Sequence, residues 1–298
     1  MRFRPRRALI LLATAMVLGL AVRGDGPAVF VSREVWTMEG ANFGGWSGLE
    51  VSADGDRFTA ISDRGWLAEG VLTRNALGRL TGVDATPTGR LEDAEEGLFD
   101  NDIRDAEGLA QAPDGRVFVA FEVIRRVFSY PDGQGKAPTA LPLYRDFIAL
   151  RPNMSLEALA IGADGALYTL PETARGHPSI TVYRFDGAGW QDFGELSRID
   201  RRFSQVGADI GPDGRFYLLE RRLSPRIGFA TRVRRFDLDE DGLSAETVLL
   251  QTRPGTHDNL EGLAVWRDPG GRIRLTMISD DNFGPYQKTE FIEYVVPN

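Results

Sequence analysis

The sequence of 298 residues predicts an all-β fold, a propeller of four-stranded antiparallel blades whose ring is closed by a strand from the N-terminal side. Three observations predict it. A short acidic phrase recurs at a step near fifty residues, a Gly-containing turn follows each phrase, and a strand-like segment follows each turn. A repeat of this length marks a stacked or circular architecture, in which each unit buries its apolar face against its neighbours.

The phrase reads Ser47-Gly48-Leu49-Glu50, then Ala106-Glu107-Gly108-Leu109-Ala110, then Leu156-Glu157-Ala158-Leu159-Ala160. It returns as Val206-Gly207-Ala208-Asp209-Ile210 and Leu260-Glu261-Gly262-Leu263-Ala264. Its acidic residue advances by 57, 50, 52 and 52 positions (50→107→157→209→261). The turns that follow are Asp54-Gly55, Asp114-Gly115, Asp164-Gly165, Asp213-Gly214 and Gly270-Gly271. Such dipeptides between apolar segments are strong hairpin signals. The segments after them, such as Arg116 to Phe121 and Arg272 to Ile278, are rich in β-branched and aromatic residues, as half-buried strands require.

A further hairpin follows in each repeat, clearest from Ile180 to Phe185 with a turn at Asp186-Gly187, and again from Arg232 to Leu238 with a turn at Asp241-Gly242. Four antiparallel strands at this period are a propeller blade. Five phrases give five blades, and the long stretch Asp84 to Arg104 leaves room for a sixth. The last repeat holds about three strands. Ala28 to Met38 is a spare strand that completes it and leaves no open sheet edge.

Residues 1–21 read as a signal peptide, with Arg2, Arg4, Arg6 and Arg7 ahead of the apolar run Ala8 to Leu20 and a small-residue cleavage site at Gly19-Leu20-Ala21. Residues 22–298 then form one propeller domain, expected in the periplasm or outside the cell as a monomer with no stable membrane span. The net charge is −8, and loss of four arginines with the leader takes it to −12. That excludes a general nucleic-acid binder. Cysteine is absent, which excludes disulfides and thiolate metal sites.

In a propeller the first strand of each blade lines the central channel. Glu50, Glu107, Glu157, Asp209 and Glu261 are expected at the starts of those strands, and Asp63, Glu122, Glu172, Glu220 and Asp280 at the ends of the strands paired with them. Both sets then converge on one channel opening. Like charges this close require a cation, a basic side chain or shared protons. Oxygen-only ligands with few histidines favour Ca²⁺ or Mg²⁺ over zinc, and Glu50, Glu107, Glu157, Asp209 and Glu261 are the candidate metal ligands, with Ca²⁺ the expected ion. Asn259, Asn282 and Asn42 supply neutral oxygens nearby. An equal alternative for any single acid is that it braces one blade against the next by accepting backbone hydrogen bonds.

His257, Asp63 and Asp280 are the candidates for acid–base catalysis, and Arg64, Arg221 and Asn282 for holding an anionic small-molecule substrate. Arg125, Arg126, Arg175, Arg222 and Lys288 also follow acids. No nucleophile elbow, phosphate loop or zinc-protease helix is present, and Gly45-Trp46-Ser47-Gly48-Leu49 lacks the second glycine an elbow needs.

The chain resembles the phytase-like β-propeller family described as having esterase-like activity of phytase. The likeness rests on Phe43-Gly44-Gly45-Trp46-Ser47-Gly48-Leu49-Glu50, Ser62-Asp63-Arg64-Gly65 and Asp105-Ala106-Glu107-Gly108-Leu109. It continues in Ser155-Leu156-Glu157-Ala158-Leu159, Asn259-Leu260-Glu261-Gly262-Leu263 and Ser279-Asp280-Asp281-Asn282-Phe283. The resemblance implies an exported propeller that hydrolyses esters or phosphoesters with the help of Ca²⁺. The chain departs from the pattern at Asp209, where the other repeats carry Glu, and at Ala158, where three of them carry Gly.

Three function classes therefore compete. A metal-assisted ester or phosphoester hydrolase uses the acids as ligands. A metal-free glycosidase uses two of them as acid and base and needs an aromatic cleft, for which Trp36, Trp46, Trp66, Trp190 and Trp266 are available. A non-enzymatic module binds a periplasmic ligand on one face.

Overall fold

A computed structural model describes residues 26–38, 43–95, 104–131, 133–172 and 177–297. The signal segment 1–21, Asn42 and Arg175 lie outside the described residues. Within them, β1 (Val29–Val35) precedes four complete sheets. Blade 1 is β2 (Trp46–Val51), β3 (Arg57–Ser62), β4 (Trp66–Arg74) and β5 (Leu80–Arg90). Blade 2 is β6 (Ala106–Gln111), β7 (Val117–Phe121), β8 (Arg126–Tyr130) and β9 (Thr139–Ala140), and the single short helix, α1 (Arg145–Ala149), follows it. Blade 3 is β10 (Leu156–Ile161), β11 (Leu167–Pro171), β12 (Ser179–Phe185) and β13 (Trp190–Ser197). Blade 4 is β14 (Ser204–Ile210), β15 (Phe216–Ser224), β16 (Gly228–Asp239) and β17 (Gly242–Gln251). Blade 5 is β18 (Asn259–Arg267), β19 (Ile273–Asp280) and β20 (Glu290–Val296), with β1 as its outermost strand.

The fold is thus a five-bladed propeller of antiparallel four-stranded sheets, as the repeats predict. The N-terminal strand closes it, pairing Val35 with Glu290 and Val29 with Val295. The predicted hairpin turns hold: Gly55, Gly115, Gly165, Gly214 and Gly271 all have positive φ, where glycine is strain-free.

The innermost strands β2, β6, β10, β14 and β18 touch in a ring. Their approach explains the glycine in the repeated phrase. A Cβ on Gly108 would lie 2.5 Å from Glu157 O, and one on Gly207 would lie 2.4 Å from Glu261 O, so any side chain there would push neighbouring blades apart. Leu49, Leu109, Leu159 and Leu263, with Ala208, each part of a blade-to-blade core, line the narrowest part of the channel, a void of about 10 Å³. That is at most room for a single water. The channel is therefore plugged at mid-height and has two separate mouths.

Between blades the core is aromatic and aliphatic. Trp36 and Trp46, each 1% exposed, pack with ring centroids 4.7 Å apart between blades 5 and 1. Burying side chains of this size contributes about 1.5–3 kcal/mol each or more.

Candidate functional site

Every inner hairpin skips one residue near the start of its first strand. Trp46 pairs Ser62 and Gly48 pairs Ile61; Ala106 pairs Phe121 and Gly108 pairs Ala120; Leu156 pairs Pro171 and Ala158 pairs Leu170. The same skip falls between Gln205 and Gly207 and between Leu260 and Gly262. The skipped residues are Ser47, Glu107, Glu157, Val206 and Glu261. Such bulges re-aim a side chain and are common beside functional sites. One residue past the second-strand partner of the residue just before each skip stand Asp63, Glu122, Glu172, Arg221 and Asp280, the last two of them still paired, with Ser204 and Asn259. Two concentric rings result at one mouth.

This corrects the single ring of five acids. Glu50 and Asp209 lie three residues beyond the skip, about 10 Å further along the strand. They face the opposite mouth, a cavity of about 1360 Å³ whose walls include Tyr168, Phe193 and Trp266. Both brace the next blade there: Glu50 Oε1 accepts from Gln111 N at 3.1 Å, and Asp209 Oδ2 accepts from Val265 N at 2.6 Å. Burial, and for Glu50 the charge of Asp209, raises both carboxyls, Asp209 to about 7. Glu220 is also displaced. It points into blade 4, where Arg232 at 2.5 Å and Arg234 at 3.1 Å neutralise it, and Arg221 takes its place in the outer ring.

The acidic mouth gathers Asp63, Asp105, Glu107, Glu122, Glu157, Glu172, Glu261 and Asp280. Carboxylate oxygens of Asp105, Glu107 and Glu122 lie within 4.8 Å of one another, as do those of Glu122, Glu157 and Glu172. Burial is the main cause that lifts these groups; mutual repulsion adds to it except at Asp105, where hydrogen bonds with Glu122 and Glu107 work against the rise. Asp63 rises to about 7, Glu122 to about 8 and Asp280 to about 8, while Glu107, Glu157, Glu261 and Asp105 are raised as well. Glu157 is 6% exposed and has no hydrogen-bond partner among the described residues. Asp63 Oδ1 is likewise buried and unpartnered among them.

One cation enters the cluster. Arg221 Nη2 lies 3.1 Å from Glu261 Oε1 and 3.6 Å from Glu172 Oε1, and its Nη1 donates to Asn259 Oδ1 at 2.9 Å. Burial works against its charge, but Glu261, Glu157 and Glu172 outweigh that and hold the guanidinium above its ordinary pKa. Asn259 Nδ2 donates to Glu261 Oε1 at 2.8 Å, and Ser47 Oγ to Glu261 Oε2 at 3.2 Å. Arg221 is therefore held by internal partners, with 24% of its side chain still exposed.

The remaining candidates divide. Arg64 is exposed at the rim, its guanidinium 3.3 Å from the Phe283 ring centroid. Asn282 is exposed on the neighbouring loop, and its backbone N donates to Asp280 Oδ1 at 2.7 Å. His257 is not at the mouth. It is 4% exposed between blades, with Nε2 2.7 Å from Tyr294 Oη and Nδ1 3.2 Å from Arg33. Burial and Arg33 lower its pKa to about 3, so it stays neutral and serves packing rather than proton transfer. Asp105 is a site residue that the repeat alone did not single out. Its φ of 34° turns its side chain toward Glu107 and Glu122, and the Asp-Ala-Glu spacing was its only sequence signal.

Fold and site define a propeller whose plugged channel opens at one mouth onto two rings of carboxylates. The model of the phytase-like family, described as "Esterase-like activity of phytase", matches residues 41–283, and the chain belongs to that family. No curated protein matches the chain. Among solved structures it is similar to the α-L-arabinofuranosidase PaAbf62A from Podospora anserina, with a TM-score of 0.53 and 12% identity over 90% of this chain and 98% of that one. The catalytic domain of a Coprinopsis cinerea GH62 α-L-arabinofuranosidase gives 0.53 and 11% over 90% and 98%. The gluconolactonase XC5397 from Xanthomonas campestris gives 0.43 and 14% over 92% and 99%. At these identities the likeness is one of fold alone.

Proposed function

We propose that this propeller is an exported, Ca²⁺-assisted hydrolase of anionic esters or phosphoesters, acting at the acidic mouth. The observation that carries the reading is Glu157, a carboxyl without a hydrogen-bond partner among the described residues, buried among Glu107, Glu122 and Glu172. Three carboxylates crowd it and the Arg221 charge offsets them only in part, an environment that suits a hard cation with oxygen ligands. Asp105, Glu107, Glu122, Glu157 and Glu172 would hold the ion, and Glu50 and Asp209 drop out of the ligand set. Bound there, Ca²⁺ supplies Lewis-acid polarisation of a substrate oxygen and a lowered pKa for bound water.

The chain's own groups do the rest. Arg64 at the rim orients the anionic part of the substrate, and the exposed Asn282 beside it adds a neutral amide. Asp63 and Asp280, held near 7 and 8, keep and exchange protons at neutral pH, as a general acid or base requires. Family membership supports the ester or phosphoester class, and the basic, apolar N-terminal segment supports export.

The test is hydrolysis of a chromogenic phosphoester, a carboxylic ester and a lactone by the mature protein, in EDTA and with Ca²⁺ restored. At least one substrate should turn over with Ca²⁺, and EDTA or Glu122→Gln should abolish it. Turnover indifferent to both would move the chemistry to a metal-free carboxyl pair. An absence of turnover on all three would leave a binding module.

A further inference from the structure

The outer ring carries an acid in four blades, Asp63, Glu122, Glu172 and Asp280, and an arginine in the fifth. Arg221 does not extend to solvent like the exposed Arg64. It folds into the cluster and contacts Glu261, Glu172 and Asn259. Its ion pairs reach Glu261 in blade 5 and Glu172 in blade 3, while the group Asp105–Glu107–Glu122 lies in blade 2 and the group Glu122–Glu157–Glu172 spans blades 2 and 3, sharing Glu172 with Arg221. Glu157, more than nine-tenths buried and without a hydrogen-bond partner among the described residues, points into the second group.

We infer that Arg221 is a resident counter-ion: it fills a cation's place on one side of the acidic mouth and thereby confines a divalent cation to the blade 2–blade 3 side. The inference rests on the cation-binding reading proposed above and goes beyond it by fixing number and position. A guanidinium is permanently charged, so it neutralises Glu261 at 3.1 Å and offsets part of the charge of Glu172 at 3.6 Å, which it shares with the second group. It makes the mouth asymmetric: one side always satisfied, the other dependent on what binds.

Calcium titration calorimetry on the mature protein, with thermal unfolding in EDTA and in Ca²⁺, tests this. The unaltered protein should take up one ion and Arg221→Lys also one. Arg221→Glu completes the acid ring and should take up two, with a midpoint lowered in EDTA and recovered in Ca²⁺. A folded Arg221→Glu protein that binds no more Ca²⁺ than the unaltered one overturns the inference. If Arg221→Glu fails to fold, Arg221→Gln carries the test: its Ca²⁺-induced midpoint shift should exceed that of the unaltered protein, and an equal or smaller shift overturns the inference. If the unaltered protein binds no Ca²⁺ but Arg221→Glu gains one ion, the metal reading fails and the counter-ion role stands. If neither binds, both fall.

Discussion

Replacing Glu157 by Gln exchanges one carboxyl oxygen for an amide nitrogen at the most crowded point of the acidic mouth. Glu157 is 6% exposed, has no hydrogen-bond partner among the described residues, and sits beside Glu172, Glu107 and Glu122. Its pKa is raised first by burial and then by Glu172, so the native state either holds an unwelcome proton or tolerates repulsion. The amide removes that cost and can donate to the neighbouring carboxylates. Relief of one such buried polar group is worth about 2 kcal/mol. At about 2–4 °C per kcal/mol for a chain of this size, the unfolding midpoint in EDTA at pH 8 should rise by roughly 4–8 °C. With Ca²⁺ at about a hundred times its dissociation constant, the unaltered protein gains about 2.7 kcal/mol, and the variant loses most of that gain. The order of the two midpoints should therefore invert between EDTA and Ca²⁺, read by differential scanning calorimetry. A variant less stable in EDTA, or one with the full Ca²⁺ response, would refute the reasoning.

Three further outcomes follow from the same geometry. Asp63, Glu122 and Asp280 have native pKa values of about 7, 8 and 8 against ordinary values of 3.8, 4.5 and 3.8, so the unfolded state releases these protons first. In EDTA stability should be greatest near pH 4 and fall as pH rises to about 8; a midpoint that is flat or rises over that window would sink this account. Glu220→Gln strips two buried guanidiniums, Arg232 and Arg234, of their shared carboxylate. It should cost about 3–5 kcal/mol, and a denaturant titration showing less than about 1 kcal/mol would mean that the pairs are not structural. The Glu50→Gln, Asp209→Asn double variant should keep the full Ca²⁺-induced midpoint shift, and losing it would return both residues to the metal site.

The fold was legible because propeller blades announce themselves locally. Turns such as Asp114-Gly115 and Asp164-Gly165 demand positive φ, and the strands after them are short, largely apolar runs rich in β-branched and aromatic residues, buried throughout. The site was legible only in part. Aligning the repeats on their acid put Glu50 and Asp209 in register with Glu107. The element that must superpose is instead the small residue at the blade contact, Gly48, Gly108, Ala158, Gly207 and Gly262, because blade spacing is fixed there. Alignment on that residue moves Glu50 and Asp209 three positions, to the other mouth. Arg221 stood out as a substrate-holding candidate, but its place in the outer ring did not: Glu220 satisfies the search for an acid, yet alternation along β15 turns it into the blade and leaves the arginine at the mouth. His257 precedes Asn259 and Glu261 by two and four residues in sequence, but a bridge to Phe229 holds it between blades.

The pairing of β1 with β20 sets an order of events. Ser32 and Glu293, which share a hydrogen bond across that pair, are 261 positions apart, so the ring joins its two most distant parts. While the chain is still emerging from the ribosome, β1 has no partner and the disc stays an open arc with exposed edges. Closure comes last, when Glu290–Val296 becomes available. Once it has happened, both ends of the domain are anchored in blade 5, and the N-terminal end is clamped to its neighbours as well, Ala28 N donating to Leu249 O in blade 4 and Ser32 Oγ accepting from Leu80 N in blade 1, so a pull on that end is shared by three blades.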